Sequence, residues 1–292
     1  MTRILQDHRR YRYAAITRRP GYSWPVGRRL AVYLGFNIEH FDFGAGLGAA
    51  LGPKSPEPDV LNYAWRDYGN RVGVWRCLDL FEELKYPVGV LVNTSLYDYA
   101  PEVIEAFVKR GDELIAHGHT NSERQGDMPE GEEKRLLEYC RERIALCSGR
   151  APGGWLSPWI SESAVTPDLL AETGYRYTLN WCHDDQPVRF ATRSGKPLWS
   201  IPYPQELNDI PMIVARQMDG RDFADMIVDN FDEVLQQSAA QPLVMGIALH
   251  PYIVGQPYRL RHLRRALAHI AAQGERVWLT TPGAICDWVD AI

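Results

Sequence analysis

The feature that most constrains the fold is an alternation of continuous apolar runs with amphipathic helical segments along the whole chain. Strands that are apolar on both faces are typical of parallel sheets covered by helices. About seven to eight such units predict an α/β fold, a single distorted or incomplete (β/α) barrel that takes in residues 1–292. The predicted strands are residues 30–37, 88–92, 113–117, 153–157, 175–181, 198–204, 243–250 and 276–280.

The chain departs from this alternation in two segments. Residues 1–28 precede the first apolar run and are predicted to form an N-terminal extension of the barrel. Residues 43–60 are rich in glycine and proline and follow the first predicted strand. Connections longer than about 12 to 15 residues are uncommon in a compact domain unless they serve a function. We therefore expect residues 43–60 to form a long active-site loop.

The composition argues against several classes of protein. The chain has 32 Lys and Arg against 37 Asp and Glu, a formal net charge of −5, whereas nucleic-acid-binding domains present a basic face. No run approaches the roughly 20 apolar residues that span a bilayer, and the first residues lack the pattern of an export signal. The five cysteines include no CxxC pair, so we expect reduced thiols in a cytoplasmic protein. The expected partner is a small-molecule substrate, not a nucleic acid or a membrane.

Polar side chains collect where the predicted strands end. Glu39 and His40 follow the first strand, His117 and His119 follow the third, and His250 ends the seventh. In a parallel barrel, the C-terminal ends of the strands form the face that carries the active site. A lone histidine at the end of a buried strand is usually a core residue. Several imidazoles and a carboxylate on one face favour a catalytic role instead.

Six segments carry a family resemblance over nearly the whole chain: residues 68–83, 111–119 ("GDELIAHGH"), 149–159 ("GRAPGGWLSPW"), 182–187, 202–211 and 246–267. In these segments the chain resembles the polysaccharide-deacetylase superfamily, with its nodulation-type, carbohydrate esterase family 4-like domain. It is most similar to the branch of cofactor-independent allantoinases and related deacetylases. The resemblance implies a deacetylase-type barrel, hydrolysis of a non-peptide carbon–nitrogen bond, and homo-oligomers that are dimers or tetramers.

The resemblance also bears on metal binding. Metal-dependent members hold a divalent ion with one aspartate and an HxxxH pair. In this chain Glu39 stands at the aspartate ligand position, Asn121 stands four residues after His117, and Asn37 stands at the position of the catalytic base. A complete zinc site of the family form is therefore not expected, and we expect no cofactor. The alternative is one divalent metal, such as zinc, at a degenerate site of Glu39 and His117 with His40 or His119.

We expect a hydrolase of the allantoinase type that acts on an amide bond of a small intracellular substrate. Glu39 would position or deprotonate water, because a carboxylate in a partly apolar pocket can have a raised pKa. His250 would protonate the leaving nitrogen, and His117 would polarise the carbonyl as a hydrogen-bond donor. Two alternatives stay open: a metal-dependent N-deacetylase of an N-acetylated sugar or polysaccharide, and a catalytically inactive barrel that only binds a ligand.

Six further residues are candidates for substrate binding. Each has a second interpretation: the tryptophans could be barrel core, the arginine could form a surface ion pair, and the aspartate could orient His250 or cap a loop. The serine at position 157 is a poor candidate for a nucleophile, since "GWLSPW" is not a nucleophile elbow. The six candidates are Arg71, Trp155, Trp181, Asp184, Glu206 and Asn208.

Overall fold

A computed structural model describes residues 6–292, and this part of the chain contains nine β-strands and ten α-helices. The strands are β1 (Leu30–Ile38), β2 (Val88–Val92), β3 (Glu113–Ala116), β4 (Gly154–Trp155), β5 (Tyr177–Thr178), β6 (Val188–Phe190), β7 (Leu198–Ser200), β8 (Leu243–Leu249) and β9 (Val277–Thr280). The helices are α1 (Val60–Tyr68), α2 (Val74–Glu83), α3 (Leu96–Tyr99), α4 (Pro101–Arg110), α5 (Glu130–Ser148), α6 (Thr166–Thr173), α7 (Gly220–Gln237), α8 (Pro251–Val254), α9 (Pro257–Ala271) and α10 (Pro282–Ala291).

The strands form one curled sheet in the order β6-β7-β5-β4-β3-β2-β1-β8, a half-barrel with helices around it. This confirms the predicted α/β class and the incomplete barrel. β9 pairs with the N-terminal half of β1 and β2 pairs with its C-terminal half. Every strand pair is parallel except β6 with β7, a short antiparallel pair that the sequence did not predict. The chain after β7 reaches the edge of β8, where the amide of Ala248 donates to the carbonyl of Leu207 (2.9 Å).

The alternation of side chains along β1 explains where the core and the site lie. Successive side chains of a strand point to opposite faces. Val32, Leu34 and Phe36 pack outward under the helices, in a core where each buried side chain contributes about 1.5–3 kcal/mol. Tyr33 packs on the inner face instead, and Asn37 lies on that same inner face at the C-terminal end of the strand. The strand therefore delivers a polar side chain to the mouth of the barrel.

A glycine on β8 makes room for the aromatic filling of the barrel. A Cβ atom at Gly246 would lie 2.8 Å from the ring of Tyr33, closer than side chains pack. The hydroxyl of Tyr33 donates to the carbonyl of Pro202 (2.5 Å), and Tyr203 lies on the same inner face. These rings help to fill the lower barrel with side chains.

The two segments outside the alternation pack against the barrel. Residues 6–28 of the predicted N-terminal extension are tied down by an ion pair between Arg10 and Asp168 (2.7 Å) and by the buried indole of Trp24; residues 1–5 lie outside the described part. The predicted loop of residues 43–60 ends where α1 begins. Within residues 6–292, no helix is both long enough and apolar enough to span a bilayer.

Candidate active site

A cavity of about 150 Å³ opens at the C-terminal ends of the strands, where a barrel fold places its active site. A cavity of about this volume in another protein accommodates benzene, so the space suits one small functional group or ring. Its apolar lining includes Phe41, Leu156 and Trp159. Its polar lining residues are Asn37, Glu39, His117, Asn121, Ser157, Tyr203, Gln205, Asn208 and His250.

The carboxylate of Glu39 lies at the centre of the polar lining, one residue beyond β1. Its Oε1 atom is 3.6 Å from Nε2 of His117 and 3.6 Å from Nε2 of His250. The side-chain amide of Asn121 also donates to Oε1, and the hydroxyl of Tyr252 donates to Oε2 (2.6 Å). The side chain is 5% exposed, so this set of donors replaces the water that a carboxylate would otherwise bind.

The pKa of Glu39 corrects the sequence-based expectation. Burial by itself would raise the pKa of this carboxyl, but the positive charge of His250, whose Nε2 lies 3.6 Å away, outweighs burial and holds the pKa well below its ordinary value. Glu39 is therefore an anion at neutral pH and a weak base. It can hold and orient a water molecule, whereas proton abstraction falls to a stronger base nearby.

His250 is held by Asp209, whose carboxylate is fully buried. Nδ1 of His250 lies 2.5 Å from Oδ1 of Asp209, and the backbone amide of His250 donates to Oδ2 (2.8 Å). Burial alone would lower the pKa of the imidazole, but the carboxylates of Asp209 and Glu39 raise it to about 10. His250 is therefore an imidazolium whose Nε2–H points toward Glu39. It is a proton donor that stays charged throughout the neutral range.

His117 presents the opposite character to the cavity. Its Nδ1 lies 2.7 Å from the carbonyl oxygen of Leu156, and a carbonyl can only accept, so Nδ1 carries the proton. Nε2 is buried and has no hydrogen-bond partner within residues 6–292. In the neutral form of the ring, Nε2 of His117 therefore turns a lone pair toward the cavity. To polarise a carbonyl as a donor, which was the expectation from the sequence, His117 would need a second proton on Nε2.

The chain is similar in sequence and in fold to several known proteins. No protein-family model matches the chain. It is 26% identical over 270 residues to a Schizosaccharomyces pombe protein named "Putative polysaccharide deacetylase", and the alignment covers 87% of this chain and 83% of that protein. It is 24% identical over 288 residues to the peptidoglycan deacetylase of Helicobacter pylori, and the alignment covers 87% of this chain and 94% of that protein. The crystal structure of Puue allantoinase superposes with a TM-score of 0.84 at 26% identity, which covers 96% of this chain and 98% of that one.

These similarities extend over most of the chain and support a hydrolase of the polysaccharide-deacetylase superfamily. The names of its relatives favour deacetylation over the ring opening of a ureide, which was the first expectation from the sequence.

The donors in this site do not form the metal site that the family resemblance implies, in which one aspartate and two histidines hold the ion. Asn121 replaces the second histidine, and its amide group donates to Glu39 while its carbonyl oxygen accepts from Asn93 (3.0 Å). An amide NH₂ group has no lone pair for a metal. Within the described range of 6–292, no three His, Cys, Asp or Glu side chains are arranged to hold an ion.

The degenerate metal site that the sequence suggested is not assembled either. Nδ1 of His40 lies 2.9 Å from the hydroxyl of Ser95, and Nδ1 of His119 lies 3.0 Å from the hydroxyl of Thr94. Neither ring lines the cavity that contains Glu39. The turn after β3 separates His119 from His117, so the two imidazoles do not converge.

The structure brings one of the six predicted substrate-binding residues, Asn208, to the cavity. Trp155 is fully buried beneath it and donates to Ser157 and Gln125. Trp181 lies to one side and donates to Glu162 (2.7 Å). The sequence could not distinguish these positions from cavity walls, because an aromatic strand end fits both.

The charged candidates also lie elsewhere. Asp184 forms an ion pair with Arg19 (2.6 Å) and does not contact His250. Glu206 borders a separate groove outside the barrel, and Arg71 is exposed on the turn between α1 and α2. The aspartate that orients His250 is Asp209. The position of Asp209 directly after Asn208 was the available sequence signal, but the sequence alone favoured Asp184 equally for this role.

Proposed function

We propose that this protein removes the acetyl group from an N-acetylated substrate by hydrolysis of its amide bond. The observation that carries the proposal is the position of Oε1 of Glu39, 3.6 Å from an imidazole that accepts a proton and 3.6 Å from one that donates it. Environments that push two similar groups toward opposite protonation states are typical of acid–base pairs in active sites.

In the proposed reaction, Glu39 holds a water molecule between itself and His117. Nε2 of His117 takes a proton from this water as its oxygen bonds to the carbonyl carbon. The carbon–nitrogen bond then breaks, and Nε2–H of His250 gives its proton to the departing nitrogen. Asp209 keeps His250 charged until that step. Acetic acid and a free amine result, and the acid passes its proton to the amine or to solvent as acetate leaves. Transfer of the proton from His117 to His250 then restores the site, and no step passes through a metal.

Two features support an N-acetylated amine as the substrate. An acid with a pKa of about 10 is matched to a nitrogen that becomes a basic amine, such as a lysine-type amine with a pKa near 10.4. The cavity of about 150 Å³ suits an acetamido group, so the remainder of the substrate would lie at the mouth. There Trp159 is 39% exposed, and its indole, fixed by a hydrogen bond to the carbonyl of Asn121 (2.9 Å), offers a flat surface to a sugar ring.

A cyclic ureide is the second candidate, and two observations favour it. The superposition on Puue allantoinase covers nearly the full length of both chains. Ala49, within the long loop of residues 43–60, lines the cavity, which suits a small enclosed substrate. The absence of a bound cofactor and a location in the cytoplasm remain part of the proposal, as does assembly into dimers or tetramers.

The test compares acetate release from N-acetylglucosamine and its β-1,4-linked tetramer with ring opening of allantoin. His250→Ala should abolish turnover of the true substrate without loss of fold, since it removes the proton donor. His119→Ala is the matched control, because it removes an imidazole that lies outside the cavity. Turnover of allantoin alone would favour the ureide. If the wild type turns over none of these compounds, and the wild type and His250→Ala bind one of them equally tightly, the result would support a barrel that only binds a ligand.

A further inference from the structure

The hydroxyl of Ser157 has an unusual set of neighbours. Ser157 lies just beyond β4, is fully buried and lines the cavity. Its Oγ atom accepts from Nδ2 of Asn180 (2.9 Å) and from Nε1 of Trp155 (2.9 Å), whose single proton is shared with Oε1 of Gln125 (3.0 Å). A hydroxyl has two lone pairs and one proton, so both of its acceptor positions face a donor.

The orientation of Asn180 is fixed by its other partners. Its Oδ1 atom accepts from the backbone amide of Ser157 (2.8 Å), and its Nδ2 atom also donates to Oε2 of Glu162 (2.7 Å). The other oxygen of Glu162 accepts from Nε1 of Trp181 (2.7 Å). A flipped amide would place an oxygen against the carboxylate and an NH₂ group against the backbone N–H. Asn180 must therefore donate to the hydroxyl of Ser157.

The hydroxyl proton of Ser157 has one direction left in which to point, toward the cavity. In the part of the chain that the structure describes, Ser157 Oγ donates to no protein acceptor, while both of its lone pairs face protein donors. We propose that Ser157 donates a hydrogen bond to the carbonyl oxygen of the substrate and stabilises the oxyanion that forms there. The inference rests on the proposed amide hydrolysis, and it gives Ser157 the opposite role to that of a nucleophile, whose oxygen lone pair must be free.

The groups assigned to the reaction leave this role open, and besides Ser157 the cavity is lined by Gln205, whose buried Nε2 has no hydrogen-bond partner within residues 6–292. Glu39 is negative and repels an oxyanion, the amide of Asn121 is already bound to Glu39, and His117 presents a lone pair. His250 is needed at the departing nitrogen. A fixed neutral donor on the side of β4 completes the set that amide hydrolysis requires.

The kinetic test uses Ser157→Ala with N-acetylglucosamine tetramer as the probe substrate. Loss of one oxyanion donor typically lowers kcat by about 10²–10³-fold, and we expect a fall of this size with KM changed less than threefold. Ser161→Ala is the matched control, since that hydroxyl accepts from the backbone of Gly126 (3.2 Å) and does not line the cavity. Asn180→Ala leaves the hydroxyl in place but frees it to rotate, so kcat should fall less than in Ser157→Ala. A kcat for Ser157→Ala within threefold of the wild type, or an effect on KM alone, would overturn the proposal.

A second measurement does not depend on turnover or on a stable variant. Neutron diffraction from deuterated wild-type crystals locates the deuteron on Ser157 Oγ, and we expect it to point into the cavity. A deuteron directed at a protein oxygen would refute the inference, whatever the reaction. A deuteron in the cavity combined with no hydrolysis of any probe would instead count against the proposed function and leave the donor in place.

Discussion

Replacement of Asp209 by asparagine tests the electrostatic design of the site most directly. The substitution keeps the shape of a fully buried side chain and removes the negative charge 2.5 Å from Nδ1 of His250. Because carboxylates raise the pKa of His250 to about 10, loss of the nearer one should lower that pKa toward the ordinary value of 6.5. Glu39 remains 3.6 Å from Nε2, so we expect the pKa of the variant to be about 7.

The size of the effect follows from the fraction of His250 that stays protonated. A group with a raised pKa is charged below that pKa and loses its proton as the pH rises through it. At pH 9 roughly 90% of His250 would be protonated in the wild type and roughly 1% in the variant, nearly a hundredfold loss of the proton donor. At pH 7 the loss would be only about twofold. The kcat of Asp209→Asn should therefore fall steeply between pH 7 and pH 9.

The assay is kcat for acetate release from pH 5.5 to 10.5, together with an NMR titration of the His250 ring. The wild-type profile should fall near pH 10 and that of Asp209→Asn near pH 7. Asp185→Asn is the control, because it removes an exposed carboxylate that borders the neighbouring groove and does not line the cavity. A variant whose profile and His250 titration match those of the wild type would refute the reasoning, and an equal shift in Asp185→Asn would show that the effect is not specific.

Three further outcomes are expected. In Gly48→Ala the new Cβ would lie 1.3 Å from Nη1 of Arg66, which donates a hydrogen bond to the carbonyl of Ala49 in the loop. Because this contact anchors the loop, residues 43–60 should be cleaved faster in limited proteolysis and KM should rise. Unchanged cleavage would exclude this anchoring. Tyr252→Phe should lower the free energy of unfolding at pH 7 by about 1.5–3 kcal/mol in urea, since it removes a buried donor to Glu39, whereas Tyr258→Phe on the surface should change it little. Hydrolysis should survive dialysis against EDTA, with well under one metal ion per chain by elemental analysis; stoichiometric zinc whose removal stops turnover would contradict the metal-independent reaction.

The main features of the fold could be predicted from the sequence because they depend on local pattern. Every residue of β1 is buried and all but Asn37 are apolar, and such strands fit a parallel sheet covered on both faces. β7 lies within the predicted strand of residues 198–204, whereas its partner β6 escaped prediction, since a strand of three residues carries too little periodicity.

The sequence by itself determined that Glu39, His117 and His250 would meet, because the C-terminal ends of parallel strands lie on one face of a barrel. Only the tertiary structure decided what each of these groups does. The choice of Asp209 over Asp184, the tautomer of His117 and the lowered pKa of Glu39 depend on polar contacts of about 2.5–3.6 Å between residues distant in the chain. Electrostatic and hydrogen-bond energies change strongly over one ångström, and no spacing along a sequence specifies a distance that finely.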